Sequence, residues 1–525
     1  MKTFTPSDIG TLLFRRQFVL GPRLLKRCCA WQKAQIGDSL FVQAHPDLEL
    51  TQVKHREAQL TLLGYLLDPD NPVLGNHEIL EQLLFRMKTP DDLFQATYRL
   101  GGRWILILDD PCETILFHDP GGLRQVFYTD SNSLERWCAS QPGIIAEELG
   151  LGVDKKAENE FLNSVYFQHT KEYWWPGNSA PFKDLKHLSP NHYLDLGQGI
   201  CHRYWPKEKL RDISLEEGVK QSSDILTGLI ESAFNRFKLA FALTAGWDTR
   251  VLLAASKEFR RGIVYYTCIY YDLTEDSPDL KIPGRLLSKL GLKHHIIHCP
   301  SQMQNEFREI YHRNVVNAHD AWARIAQGLY YHYPQNRVCV KGVISSEIVR
   351  FALRGYYHYA LANRENVSVE SLAGLANMEA NPFAIAHFTT WLSEARGIAE
   401  RHNINIVELF GWEQITGNWQ AMNELEWDIV HETFVPFNCR KLLTTLLGVD
   451  AKFRKPLEYE LYRRIVSRLD RAVLSESINP TGMKDKVKRG LERLLIETRN
   501  YERARKWYAK VRKKWTTVGG VGRQR

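Results

Sequence analysis

Hydrophobic and polar positions alternate at short range in the first part of the chain. From Gln59 to Ile145, apolar stretches are separated by turn residues: QLTLLGYLLD (59–68), RWILILDD (103–110), TILFHD (114–119) and QVFYTD (125–130). Such alternation, bounded by Asp, Asn, Pro and Gly, predicts antiparallel strands. From Ser214 onward the grammar changes: apolar runs are separated by amphipathic stretches of helical length, the pattern of βαβ units on a parallel sheet. Between the two, Asn159–Pro206 is rich in Tyr, Trp, Pro and Gly and reads as the junction. The expected division is a β-rich unit over 1–205, an α/β unit over 206–482 and a helical tail over 483–525.

Composition narrows the class. A chain of 525 residues with 44% hydrophobic and 25% charged residues is an ordinary globular protein of more than one domain. Nine cysteines are scattered, and apart from the neighbours Cys28 and Cys29 none approaches a Cys-x-x-Cys spacing that would hold zinc. That usage suits a reducing cytoplasm. Met1–Ile9 lacks the layout of a secretory signal and no run of about 18 apolar residues occurs. A cytoplasmic protein is therefore expected. The net charge of +8 is local: fifteen Lys or Arg against four Asp or Glu give Lys484–Arg525 a charge of +11. With Tyr501, Trp507, Tyr508 and Trp515 in the same segment, the tail suits either a solvated helix or peripheral contact with an anionic membrane. No nucleic-acid motif accompanies it, so a nucleic-acid partner is not expected; self-association is left open.

Candidate chemistry is concentrated where the α/β pattern begins. KLAFAL (238–243) reads as a strand and VLLAAS (251–256) as helix, with Thr244-Ala-Gly-Trp-Asp-Thr-Arg250 between them. A strand, a Gly turn and a helix start aim backbone N–H groups at a common point, where a phosphate can be held; a plain βα connection leaves the same trace. GIVYYTCIYY (262–271) follows as a second strand, SPDLK (277–281) opens a helix running to Leu290, and HHIIHC (294–299) is a third strand. Further on stands NRVCVKGVISSEIVRFALRGYY (336–357).

These patches, in this order, resemble the asparagine synthetase family. LTAGWDTR is similar to that family's pyrophosphate-binding loop, Ser-Gly-Gly-x-Asp-Ser, with Ala245 in place of the first Gly. The resemblance implies that Leu243, Thr244, Gly246, Asp248 and Thr249 hold ATP, that Ile269 contacts adenine, and that Lys341 and Gly342 hold the nucleotide end. It implies Mg²⁺ on Asp248 and Glu347, with Glu347 also catalytic. Lys484, in the INPTGMK loop (478–484), would stabilise the adenylate. Two positions depart from the pattern: Val343 stands for the family's first glutamate and Ser346 for its aspartate.

LGGRWILI (100–107), Asp119, Gly122 and QVFYTD resemble the family's glutaminase domain. The nucleophilic cysteine that follows the initiator Met in that family is Lys2 here, so no glutaminase activity is expected. The implied fold is a β-rich class II amidotransferase-like domain followed by a parallel-sheet α/β ATP-pyrophosphatase domain, of the adenine nucleotide α-hydrolase-like kind. The implied activity is an ATP-dependent ligase that adenylates a small-molecule carboxylate and transfers it to ammonia or an amine. The alternative is a catalytically impaired pseudoenzyme or scaffold, associated with a membrane or nucleic acid through its basic tail.

Overall fold

The computed structural model describes residues 10–480, apart from Glu365 and Leu457. Up to residue 205 the described strands are β1 (Phe18–Gly21), β2 (Gln32–Ile36), β3 (Leu40–Ala44), β4 (Leu50–His55), β5 (Ala58–Leu67), β6 (Gly101–Asp109), β7 (Thr114–His118), β8 (Phe127–Thr129), β9 (Cys138–Ala139), β10 (Leu185–His187), β11 (His192–Asp195) and β12 (Ile200–Arg203). They form two six-stranded sheets, β10-β8-β9-β1-β3-β2 and β12-β11-β7-β6-β5-β4. Both sheets are antiparallel. The segment Asn159–Pro206 is therefore more than a junction: it supplies β10, β11 and β12, strands of three or four residues that are too short to leave a readable alternation.

The period-2 geometry of a strand explains why RWILIL is apolar at consecutive positions. Ile105 and Ile107 face the other sheet, in a core with Leu20, Val42, Leu63 and Leu116. Leu106 and Leu108 face the opposite way, into a core shared with Leu226 and Leu229 of the next domain. The two glycines that open β6 make this fit. A Cβ on Gly101 would stand 2.6 Å from Leu229, and one on Gly102 (φ +114°) would stand 2.1 Å from the Tyr65 carbonyl oxygen.

The second domain carries β13 (Leu239–Ala242), β14 (Val264–Ile269), β15 (His294–His298), β16 (Val338–Val340) and β17 (Thr433–Phe434) in the order β15-β14-β13-β16-β17. Every ladder is parallel, so the expected fold class holds. Its helices include α1 (Leu215–Arg236), α2 (Trp247–Ala255), α3 (Pro278–Lys289), α4 (Ser345–Ile348), α5 (Arg440–Gly448) and α6 (Glu460–Asp470). Ser214 caps α1 by accepting from the Glu217 amide, with Glu216 and Glu217 in the first turn, where acids favour the helix dipole. Among the described residues no helix is long and apolar enough to cross a membrane.

A polar seam joins the domains beside the shared apolar core. Arg103 of β6, fully buried, donates to Asp428 at 2.5 and 2.8 Å and to Glu432 at 3.2 Å, and Arg124 donates to Glu432 at 2.8 Å. Burial alone would raise the Glu432 carboxyl, but Arg124, Arg103 and Arg16 more than offset it and hold it at about 2. Asn438 donates to the Gly102 carbonyl (2.9 Å) and to Asp119 (2.7 Å) and accepts from the Gly121 amide (2.8 Å).

Candidate functional site

The strand order reverses at β13: the chain builds outward through β14 and β15 on one side, then returns to β16 and β17 on the other. In open parallel sheets the crevice at that reversal, beyond the carboxyl ends of the strands, is where ligands bind. The cleft here lies between the loop after β13 and the exit of β16 and encloses about 690 Å³ including its open mouth. Thr244, Gly246, Asp248 and Thr249 line one side, Gly342 and Ser346 another.

The loop after β13 is tied down from several directions. Its Ala245 amide donates to Asp279 at 2.9 Å, so the acidic turn that opens α3 acts as the anchor of the phosphate-type loop. The Asn479 amide donates to the Ala245 carbonyl at 3.0 Å, and Arg250 donates to the carbonyls of Val473, Glu476 and Ser477 at 2.7 to 3.0 Å. Thr249 Oγ1 lies 3.1 Å from the Thr244 carbonyl. Ala245 is not among the residues of positive φ, so its replacement of a glycine costs the turn nothing. The first-turn amides of α2 lack intrahelical acceptors by the geometry of a helix, and they stand at its positive end. Gly342 is required by packing: a Cβ there would sit 2.7 Å from the Thr249 nitrogen.

Charge in the cleft is arranged by two arginines to which the sequence reading assigned no role. Arg350 donates to both carboxylate oxygens of Asp248 at 2.6 Å, and each side chain is 9% exposed. Its guanidinium packs over the rings of Tyr462 and Tyr459, at 4.7 and 5.3 Å to the ring centres. Burial pushes the Asp248 carboxyl above its ordinary value; Arg350 opposes this and the neighbouring Glu347 adds to it. Arg354, half exposed, reaches Glu347 at 3.2 Å from the cleft rim. Trp247 and Tyr459, 5.7 Å apart, add aromatic surface to the wall.

Three of the thirteen described non-glycine residues of positive φ lie around the same space. Ile344 (φ +64°, ψ −28°), before α4, and Tyr459 (φ +42°), before α6, both adopt left-handed backbone that bulky residues rarely tolerate. Asn479 (φ +43°) is a third case, of a residue type that accepts it more easily.

The expected residues are only partly brought together. Glu347 stands near Asp248 but is not on the cleft wall; its Oε1 accepts from Ser346 (2.6 Å) and Arg354, while its buried Oε2 has no partner among the described residues. Leu243 is held by β14, its carbonyl accepting from Thr267 Oγ1 at 2.6 Å. Since that hydroxyl has one proton, His294 Nε2, 2.8 Å away, donates to it, a packing role for His294, whereas His295 is exposed. Ile269 ends β14, its carbonyl accepting from the Cys299 amide at 3.1 Å. Lys341 turns from the cleft to buried Glu424, at 2.9 and 3.1 Å, and lies 3.9 Å from the centre of the Trp427 ring. Lys484 and the 483–525 tail fall outside the described residues.

The donor set does not fit a resident magnesium ion. Mg²⁺ needs carboxylate oxygens free at about 2.0–2.1 Å. Both oxygens of Asp248 already accept from the Arg350 cation, Glu347 Oε1 accepts from Ser346 and Arg354, and Glu347 Oε2, which has no partner among the described residues, is buried and off the cleft wall. Among the described residues no group of three or more His, Cys, Asp or Glu could hold a metal ion.

No protein-family model matches the chain, and no curated protein does. Among solved structures it is similar to glutamine-dependent NAD+ synthetase from Acinetobacter baumannii in complex with ADP, at 14% identity and a TM-score of 0.20, and it spans only 32% of that chain and 32% of its own. It is also similar to glutamine phosphoribosylpyrophosphate amidotransferase from B. subtilis complexed with ADP and GMP (11% identity, TM-score 0.23, 63% of this chain and 90% of that one). A third likeness is to the allosteric regulatory enzyme of purine biosynthesis (10%, 0.23, 59% and 75%). At these values the likenesses decide nothing about chemistry.

Proposed function

We propose that the chain is an ATP-using ligase of the asparagine synthetase kind, which activates a small-molecule carboxylate as its adenylate and passes the acyl group to ammonia or an amine. The observation that carries this reading is the cleft at the strand-order reversal, where the N-terminal turn of α2 faces Arg350 and Arg354. A carboxylate oxygen attacks the α-phosphorus of ATP, the bond to the pyrophosphate oxygen breaks, and negative charge grows on the departing group. The amides of α2 and the two guanidinium groups are preorganised toward that charge. The nitrogen nucleophile then displaces AMP from the acyl carbon and gives up a proton. With valine at position 343, that proton leaves to solvent or to AMP rather than to a glutamate there.

A second reading, a nucleotide-binding scaffold without turnover, is favoured by the commitment of Asp248 to Arg350. ATP–pyrophosphate exchange across a panel of carboxylates separates the two. The control is Gly246→Val, because among the described residues a Cβ at 246 meets Thr244 Oγ1 (3.3 Å) and Asn479 Oδ1 (3.7 Å) and larger groups then fill the cradle. Exchange that disappears in this variant supports the ligase and names the acid. ATP binding without exchange leaves the scaffold, and absence of ATP binding sinks both.

A further inference from the structure

We infer that the cleft takes the phosphates of its ligand as a metal-free polyanion, with Arg350 and Arg354 supplying the counter-charge that a divalent cation would otherwise bring. The inference rests on the proposal that the cleft binds ATP, and concerns the state in which ATP is bound.

Arg350 already supplies the positive charge next to Asp248, using one nitrogen to bridge both carboxylate oxygens. It cannot swing aside freely, since Tyr459 and Tyr462 pack on its guanidinium and the Tyr462 hydroxyl is fixed by Ser345 at 2.6 Å. The pair with Asp248 uses one nitrogen, Nη2, while Arg350 lines the cleft and its Nε is fully buried without a partner among the described residues. A planar, always charged guanidinium with donor capacity left over at the wall of a cleft suits phosphate oxygens. Arg354 stands four residues further along the chain at the rim, its side chain held among the described residues by Glu347, and can close on a second phosphate group. With the helix amides opposite, a polyphosphate meets positive charge from two sides without a metal bridge. A magnesium ion already bound to the phosphates would oppose this, since it brings positive charge beside two fixed cations.

Isothermal titration of the full chain with ATP, and separately with inorganic pyrophosphate, in excess EDTA and again in excess magnesium, tests the inference. The expected result is an affinity in EDTA equal to or tighter than that in magnesium for both ligands. Arg354→Gln, a change at the half-exposed rim, is expected to weaken binding in EDTA by about tenfold, the loss of a single charge-assisted contact. Binding that appears only in magnesium, or is more than about tenfold weaker in EDTA, overturns the metal-free inference while leaving the nucleotide reading intact. Pyrophosphate binding in EDTA without ATP binding keeps the anion site and removes the nucleotide. No binding of either ligand in either buffer removes both the inference and the reading beneath it.

Discussion

The seam between the domains and the cleft at the strand-order reversal are both built from buried arginine–carboxylate pairs, yet they are finished differently. At the seam, Arg103 and Arg124 share Asp428 and Glu432, and each of the four is engaged by a charged partner. In the cleft, Arg350 and Glu347 each keep a buried polar atom with no partner among the described residues, and two bulky residues sit in left-handed backbone nearby. A buried polar atom without a partner costs about 1–3 kcal/mol, and a strained backbone position a similar amount. The joint has such features too, since Trp104 Nε1 of β6 is buried without a partner among the described residues and Arg16, which donates to the Asp428 carbonyl, has φ +58°; what sets the cleft apart is that its arginine borders open space.

The largest effect is expected from breaking the joint. Asp428→Ala leaves Arg103 buried without its closest partner and should cost about 3–5 kcal/mol in denaturant unfolding. Asp248→Ala removes the equivalent partner in the cleft, but Arg350 there borders the open cleft, so a smaller loss of about 2 kcal/mol is expected. Equal losses in the two variants would erase the contrast.

Lowering the pH strains the seam next. Burial depresses His187, which borders the cavity between the domains, from 6.5 to about 3, and His192 to about 4. The unfolded chain takes up these protons below pH 6.5 while the native state refuses them. The contribution of both residues is therefore fully present above pH 6.5 and is lost as the pH falls toward 4 and 3. Stability should drop by roughly 1–2 kcal/mol per histidine between pH 7 and 5. His187→Gln should remove its share of that slope, and a slope unchanged by the substitution would mean that His187 is protonated in the native state.

The smallest effect sharpens the account of strain. Ile344 and Ile348 are both completely buried, but only Ile344 has a positive φ. Ile344→Gly loses packing and gains relief, so it should cost at least about 1 kcal/mol less than Ile348→Ala. If it costs more, the left-handed backbone at 344 carries no strain.

Much of the second domain could be read along the chain because its signals are local. The run KLAFAL, the Gly turn and the SPDLK helix start lie within a few dozen residues, and the structure pairs their strands and ties Ala245 to Asp279. The sandwich was only half legible. β5 to β7 are five to ten residues long and β8 sits in the apolar run QVFYTD, whereas β2 to β4 carry mixed faces and β1 and β9 to β12 are two to four residues long. The site was legible as a loop and not as a charge arrangement. Arg350 lies 102 positions from Asp248, and no periodicity announces that an arginine occupies the space assigned to a metal. Lys341 misleads for the same reason, since its partner Glu424 is 83 positions away.

Asn438 fastens the first domain to the second with three hydrogen bonds that use both its carbonyl and its amide. Together with the buried ion pairs beside it, this opposes a hinge along that line, and the two domains are expected to tumble as one body. On the proposed function, a substrate is then not captured by one domain clapping shut on the other, a motion of microseconds to milliseconds, but admitted by side chains and short loops, which move in nanoseconds to microseconds.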